Sequence, residues 1–350
     1  MSGVAGNELK YAIKKATAWG TAVQCGAGDG FLSLPTGIKR ESGIDIDDSL
    51  GLFVSQDGTP SAVTVPGDLP LYLRYDGCGL IMALFMGIAG IPTLVDGATG
   101  AYAYAYDFAE STDGLFATFA RHRKHYIDEV PSLKISALTI KGEQGKPLQL
   151  VATVIGNNLV ADGVNKAATY SEVTIAETRN RVQFAQGVFR MNDKDDVALG
   201  APHVVTPSSF EITAKRQLEG MYGAFTTGGT NPQDLIDEPT NNGVPEFSVT
   251  LQFPRHTGKT RLDELGGDAR KKMDITFTGR EIEAGFNRQI KFELPHLQYK
   301  SVDVVDESGN IKEPVEFVAH GVTAAVAGMT DLTMPLRISG VNQRNANPLA

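Results

Sequence analysis

The chain has 350 residues and a formal net charge of −9, with 42% hydrophobic and 21% charged residues, which is ordinary for a globular protein. This length allows two domains of ordinary size. The excess of acidic over basic residues, scattered along the chain, argues against a protein that wraps nucleic acid on a basic surface.

The N-terminal region predicts neither a secretory signal nor a nucleotide site. Residues 1–19 contain no apolar core of the kind that signal peptides have. The glycine-rich residues 25–30 lack the G-x-G-x-x-G spacing and precede a strand, so we interpret them as a turn. Cys25 and Cys78 have no partner at metal-ligand spacing, which predicts neither a zinc site nor a disulfide scaffold. Two isolated thiols suit synthesis in a reducing cytoplasm.

An apolar segment in the first half of the chain is interpreted as a buried helix. Between Asp76 and Asp96 the chain carries no charged residue, and its most apolar part is Leu80–Ile91. A membrane span needs about 20 apolar residues, and runs of about 10–14 are more often buried helices. Pro92 ends any helix, and no lysine or arginine cluster flanks the segment. We therefore predict a helix over Gly79–Ala89 and no contact with a membrane.

Elsewhere the hydrophobic pattern mostly has a period of two, which is typical of strands with one buried face. Helix candidates are few: besides the apolar segment, only Thr260–Lys272 has a helical pattern, weakened by two adjacent glycines. The predicted strands are Leu69–Tyr75, Ala101–Phe108, Leu133–Ile140, Pro147–Ile155, Phe247–Phe253, Met273–Thr278, Gln289–Leu294, Gln298–Val305 and Val315–Ala319. The sequence thus predicts a mainly β protein.

No motif predicts catalysis, a cofactor or a bound metal. Gly258-Lys259-Thr260 ends like a phosphate-binding loop, but Phe253 stands where the first glycine belongs. The histidines and the aspartate of residues 122–128 are mixed with arginine and lysine, which disfavours a metal. Carboxylates at 192–196 lack calcium-loop spacing. We therefore expect the chain not to be an enzyme, and the loop at Gly258 is the best feature of the enzyme alternative.

The two halves of the chain resemble each other. Pro131 and Pro295 are 164 residues apart, as are Leu133 and Leu297, whereas Ala152 and Ala319 are 167 apart. Each half also has a strand, then a helix candidate, then a strand. Any two β-rich segments align when gaps are free, so an internal duplication is a hypothesis that the order of elements favours.

Three stretches carry a resemblance to a known family. They are residues 15–35, residues 68–77 with the apolar helix after them, and Pro131-Ser-Leu-Lys-Ile with its later Gly-Lys-Pro-Leu. Together they resemble the tail tube (major tail) proteins of long-tailed bacteriophages, most strongly over residues 10–160. The resemblance implies an antiparallel β fold with a flanking helix, in which neighbouring subunits contribute strands to one barrel around a channel for DNA.

Combined with the duplication, the resemblance predicts two tandem tail-tube-like antiparallel β-sandwich or barrel domains, each with a flanking helix. The expected divisions are an arm at 1–20, domains at 21–176 and 177–340, and a tail at 341–350. The chain would be a structural virion protein that forms stacked rings in the phage tail. Another virion component, such as a tail terminator, a baseplate protein or a capsid decoration protein, is the alternative.

The expected partners are copies of the chain itself and other tail proteins, while genomic DNA passes through the channel without specific binding. Two tube-like halves per chain predict a homotrimer ring with pseudo-sixfold symmetry, with a homohexamer as the alternative. A negative channel would repel phosphates and let DNA slide. We predict no cofactor and no metal.

Two sets of residues are candidates for contacts between subunits. The first set lies on the predicted helix and would pack against a neighbouring half or subunit. The second set lies in a turn-rich segment that is expected to reach the ring above or below. The helix set comprises Leu80, Leu84, Phe85 and Ile88. The inter-ring set comprises Ile44, Asp45, Asp47, Val63 and Val65.

Overall fold

The structure, a computed structural model, describes residues 6–46, 54, 58–167, 172–175, 179–222, 235–307 and 309–350. In these ranges no helix is both long and apolar enough to cross a membrane. All strand pairings in the named ladders are antiparallel. The predicted mainly β, antiparallel fold is confirmed.

The described residues form two α-helices, four short 3₁₀ helices and twenty-two strands. The helices are α1 (Gly79–Met86) and α2 (Thr260–Gly266). The strands of the first half are β1 (Lys10–Lys15), β2 (Gly30–Phe31), β3 (Glu41–Ile46), β4 (Gly58–Tyr72), β5 (Gly87–Ala89), β6 (Thr93–Leu94), β7 (Tyr102–Phe108), β8 (Ala117–Arg123), β9 (Tyr126–Glu143), β10 (Gln149–Gly156) and β11 (Val160–Ala161). Those of the second half are β12 (Gly187–Asp193), β13 (Val204–Val205), β14 (Ser209–Lys215), β15 (Leu218–Glu219), β16 (Thr240–Asn241), β17 (Glu246–Phe253), β18 (Arg270–Glu283), β19 (Phe286–Val302), β20 (Val305–Glu307), β21 (Asn310–Ala319) and β22 (Arg337–Asn342).

One continuous sheet runs through both halves of the chain. Its strand order is β4, β10, the C-terminal part of β9, β14, β17, β21 and the C-terminal part of β19. We call it the seven-strand sheet. Its residues alternate between a buried face and an outward face, as in β10 and β17. Alternation of this kind results from the period-two direction of side chains along a strand.

The core lies between the seven-strand sheet and shorter sheets that cover its buried face. In the first half β1, β8 and the N-terminal part of β9 form the covering sheet, and in the second half β12, β18 and the N-terminal part of β19 do so. Phe189 of β12 packs across the core against Phe210 of β14, with ring centroids 5.3 Å apart. Each half is therefore a sandwich whose two layers share one long strand, β9 or β19.

The pairings in the first half recur in the same order in the second. The covering ladders β1–β8 and β8–β9 correspond to β12–β18 and β18–β19. The ladders β9–β10 and β10–β4 correspond to β19–β21 and β21–β17. Each helix follows the strand β4 or β17. This repetition supports an internal duplication, and the domain divisions stay a prediction.

Helix α1 is apolar on every side and is buried within the chain. Seven of its eight residues are buried, the exception being Leu80. It ends earlier than the predicted Ala89, because Gly87 adopts a left-handed φ of 91° and its N–H donates to Ala83 O. The chain then continues as strand β5. The prediction was therefore right about the helix and wrong about its end.

Helix α2 is also shorter than predicted, since it ends at Gly266 and β18 begins at Arg270. None of its residues is buried. It is held on the sheet by Leu265, which packs against the core, and by polar contacts. Arg261 Nη1 lies 2.8 Å from the buried carboxylate of Glu313, and its guanidinium lies over the ring of Phe253. The two helices thus occupy matching places in the chain order but have different surroundings.

Candidate assembly surfaces

The outward face of the seven-strand sheet, which we call the polar face, carries mostly polar side chains. Five neighbouring strands of this sheet line a depression of about 690 Å³ that includes Tyr72, Gln149 and Thr250. The depression lies at the end of these strands next to the turn at Lys146 and Pro147. The polar members of the face include Asp68, Tyr72, Thr139, Lys141, Glu143, Gln149, Thr153, Glu211, Thr213, Lys215, Glu246, Ser248, Thr250, Gln252, Lys300, Lys312 and Glu316.

The charges of the polar face are balanced rather than uniformly negative. The charged side chains named above are five carboxylates and four lysines. Lys141 lies opposite Glu211 in the strand register, and Lys300 Nζ lies 2.8 Å from Glu316 Oε1. Each carboxylate of these two pairs has a lysine beside it, so the acidic excess of the whole chain is not concentrated on this face.

The strands β3 and β4 form a two-stranded arm at one end of the sheet. All six residues of β3 are exposed, and the side chains of Ile44 and Ile46 are 68% and 57% exposed. Exposed apolar residues on a two-stranded element are typical of a contact surface. Asp45 is exposed beside them.

The other inter-ring candidates differ in position. Val63 and Val65 lie on β4 and are 1% and 0% exposed, so they are covered within the chain. Asp47 lies outside the described residues. The structure thus brings only Ile44 and Asp45 of this set to a described, exposed surface.

The helix candidates are mostly covered inside the chain. Leu84 and Phe85 are 3% and 0% exposed, and Leu80 is half-buried against the core. Ile88 lies beyond the helix on β5 and is 50% exposed. A role of this set between subunits stays a prediction, and Ile88 is the member with the most surface left to contribute.

A buried arginine that the sequence reasoning missed joins the two halves. Arg216 follows β14, is 1% exposed, and reaches the end of α1. Its Nε donates to Phe85 O at 2.9 Å, one Nη2 bond goes to Met86 O at 3.1 Å, and another goes to Ala109 O at 2.9 Å. Its guanidinium also lies 3.7 Å from the centroid of the Phe108 ring. Burial lowers the pKa of Arg216 to about 10, which leaves it charged at neutral pH.

A second buried contact, between Arg288 and Asp76, also joins the two halves. Arg288 Nε of β19 lies 2.8 Å from Asp76 Oδ2, and both side chains are about one-tenth exposed. Asp76 Oδ1 also accepts a hydrogen bond from the N–H of Gln343. Together with the β9–β14 ladder, these contacts tie both halves into one subunit. The sequence around Arg216 and Arg288 has no pattern that distinguishes either residue from an arginine on the surface.

A comparison with protein families shows the family of the chain. A model of the phage tail tube protein family matches residues 6–319. The chain belongs to the phage tail tube family. A search of curated proteins gave no match.

The resemblance inferred from the sequence is therefore confirmed, and this tail tube protein is a structural component of the virion. Tail tube proteins assemble with copies of themselves and with other tail proteins into a tube. The polar face, the arm and the ends of the seven-strand sheet are candidate surfaces for this assembly.

Proposed function

We propose that this tail tube protein forms rings of three subunits with pseudo-sixfold symmetry. The observation that carries the proposal is the recurrence of the same strand pairings in both halves, joined through β9 and β14 into one sheet. Each chain then supplies two similar lobes of the ring. A closed ring also leaves no exposed sheet edge in the ring plane, which is a general way to prevent unwanted pairing.

The polar face supports a role as the lining of the channel. It carries the depression described above, and it offers hydroxyl and amide groups between lysines and carboxylates that lie next to each other. On this face lysines lie next to carboxylates, in the pairs Lys141–Glu211, Lys215–Glu246 and Lys300–Glu316. A neighbouring carboxylate weakens the attraction of a lysine for phosphates. DNA would pass along the polar face without specific binding during ejection, because no net attraction holds the duplex to the wall.

The expected result for the purified protein is rings or tubes whose averaged image down the axis shows three chains and six similar lobes. The measurement is electron microscopy of assembled tubes, combined with the mass of a single ring. Six chains in each ring would contradict the trimer while leaving a tube in place. A chain that stays monomeric even beside its tail partners would contradict the proposed function.

The arm supports a contact between successive rings. Replacing Ile44 with aspartate is expected to leave the fold and the rings intact but to shorten the tubes, because the charge would enter an apolar contact. Tube length in micrographs and the thermal midpoint of the subunit measure the two effects. Ile91→Asp is the matched control, since Ile91 is 80% exposed and lies outside the arm. Tubes of normal length from the Ile44 variant would contradict an inter-ring role.

A further inference from the structure

The chain contains an internal joint at which a strand of the second half pairs with a strand of the first. Ser209–Lys215 of β14 pairs with residues 137–143 of β9 over seven positions, with Ile212 opposite Ile140. Arg216 N–H donates to Ser136 O and Gln144 N–H donates to Ser208 O, which closes the joint at both ends. Thr139 and Thr213 lie side by side on the polar face, with their Oγ1 atoms 3.3 Å apart.

The residues of β19 that correspond to this part of β9 have an open edge. Leu133 of β9 corresponds to Leu297 of β19 in the repeated ladders. Three residues further on, each strand has one residue without a partner in its ladder, Ser136 in β9 and Lys300 in β19. The counterpart of 137–143 is therefore 301–307. One edge of this segment pairs with β21. Its other edge has no strand partner among the residues that the structure describes.

The counterpart of β14 is found at the opposite end of the seven-strand sheet. Thr213 pairs with Ser248 of β17. In the first half, Pro66 of β4 corresponds to Ser248 of β17 in the repeated register. The N–H of Lys39 donates to the carbonyl oxygen of Pro66. Residues 35–41 therefore lie beside β4 as β14 lies beside β17. Their far edge also lacks a strand partner within the described ranges.

We infer that residues 301–307 of one copy pair with residues 35–41 of a neighbouring copy, antiparallel and in the register of the internal joint. This register places Val304 opposite Ile38 and Asp303 opposite Lys39. The inference rests on the proposed ring and names the contact that closes it. The partner of each open edge is thus a second copy of this chain.

The side chains brought together in this register are complementary. Ile140 is 1% exposed beside β14, whereas its counterpart Val304 is 45% exposed in the single chain. Pairing with a neighbouring copy would cover Val304 as the internal joint covers Ile140. Asp303 and Lys39, the counterparts of Thr139 and Thr213, carry opposite charges. An apolar residue opposite a charged one, or two like charges opposite each other, would have argued against this register.

The pairing also gives a channel of suitable width. Each chain contributes the seven-strand sheet and the segment 35–41, so three copies contribute 24 strands. At a spacing of about 4.8 Å, such a closed sheet is about 37 Å across between backbones, and strand tilt widens it further. The ring therefore has room for a DNA duplex.

A disulfide between the two paired positions on the polar face tests the register. The double variant Lys39→Cys with Asp303→Cys is assembled, oxidised and run without reductant. The expected products are covalent dimers and trimers and no larger species. The two positions of one chain are separated by seven strand spacings, roughly 34 Å along the sheet, so a link within one chain is excluded. Cys25 and Cys78 are buried and do not compete.

The matched control is Lys39→Cys with Lys300→Cys, which places the second thiol three residues out of register. Rings that form from the first double variant without any cross-link would overturn the pairing while leaving the tube function in place. Absence of rings from the unmodified chain would overturn the tube function instead. Equal cross-linking in both double variants would also overturn the register.

A second pair of variants tests the burial of Val304 without thiol chemistry. Val304→Asp is expected to keep the thermal midpoint of the single chain and to abolish rings, because Val304 becomes buried only when copies pair. Val305→Asp is the control, since Val305 is 38% exposed and its side chain points to the opposite side of the strand. Normal rings from Val304→Asp would overturn the inference.

Discussion

Replacing Leu84 with aspartate is expected to prevent the subunit from folding. Leu84 is 3% exposed within a helix whose neighbours on the sheet are apolar. An unpaired carboxylate in such surroundings costs several kcal/mol, and the whole stability of a domain is only about 5–15 kcal/mol. Because about 1 kcal/mol shifts the midpoint of a domain by roughly 2–4 °C, we expect a fall of more than about 10 °C or an insoluble product.

Two variants separate burial from a general effect of mutating this segment. Ile88→Asp introduces the same charge at a site that is 50% exposed, so its cost is expected to stay within about 0.5 kcal/mol. Leu84→Met keeps the volume and is expected to cost less than about 1.5 kcal/mol. Thermal unfolding followed by circular dichroism measures all three. A Leu84→Asp chain that melts like the unmodified one would show that this site is accessible to water.

The strand pattern and the helix at the apolar segment were predictable because both depend on local alternation of apolar residues. The ends of the strands and of the helix were not predictable, because whether a proline or a glycine ends an element depends on the tertiary contacts around it. Pro295 separated two predicted strands, but β19 runs through it. Each of the two prolines lies at a register shift. Pro131 lies where the β8–β9 ladder shifts between Ala117 and Phe119, and Pro295 lies where the β18–β19 ladder shifts between Lys271 and Met273. At such a shift no ladder hydrogen bond needs the missing N–H.

The alignment of the two halves was correct at Leu133 and Leu297 but shifted after them. The sequence pairs Ala152 with Ala319, whereas the ladders place Gly156 opposite Leu133 and Ala319 opposite Leu297. Gly156 is therefore the counterpart of Ala319. The sequence could not show this, because alternating small and branched residues match equally well at several registers.

The assembly surfaces were the least predictable part of the molecule. The acidic composition predicted a negative channel, but composition does not show which charges share a face. On the polar face Lys141 stands opposite Glu211, and only the register of β9 with β14 reveals this. Hydrophobicity makes Leu84 and Phe85 candidates for a contact between subunits, and the fold buries both side chains inside the chain. Hydrophobicity indicates burial without indicating which partner provides it.

Arg216→Ala is expected to destabilise the subunit by about 3–5 kcal/mol, as large buried side chains do when they are truncated to alanine. Arg216 is among the largest fully buried side chains of the described residues, so alanine leaves a cavity. The carbonyl groups of Phe85 and Ala109 also lose a donor, and a buried polar group left without its partner costs about 1–3 kcal/mol. Urea denaturation of the single chain measures the difference.

Arg216→Met separates the lost hydrogen bonds from the cavity, because methionine fills much of the space without donating. Removal of the buried charge offsets part of the loss, since burial already disfavours the charged form. We therefore expect about 1–3 kcal/mol for Arg216→Met, the range of one unsatisfied buried group. Lys215→Ala is the control at the adjacent exposed position, expected within about 0.5 kcal/mol. If Arg216→Met were as stable as the unmodified chain, the three carbonyl contacts would contribute no net stability, and the halves would be held by other contacts, such as the β9–β14 and β7–β22 ladders and the Arg288–Asp76 pair.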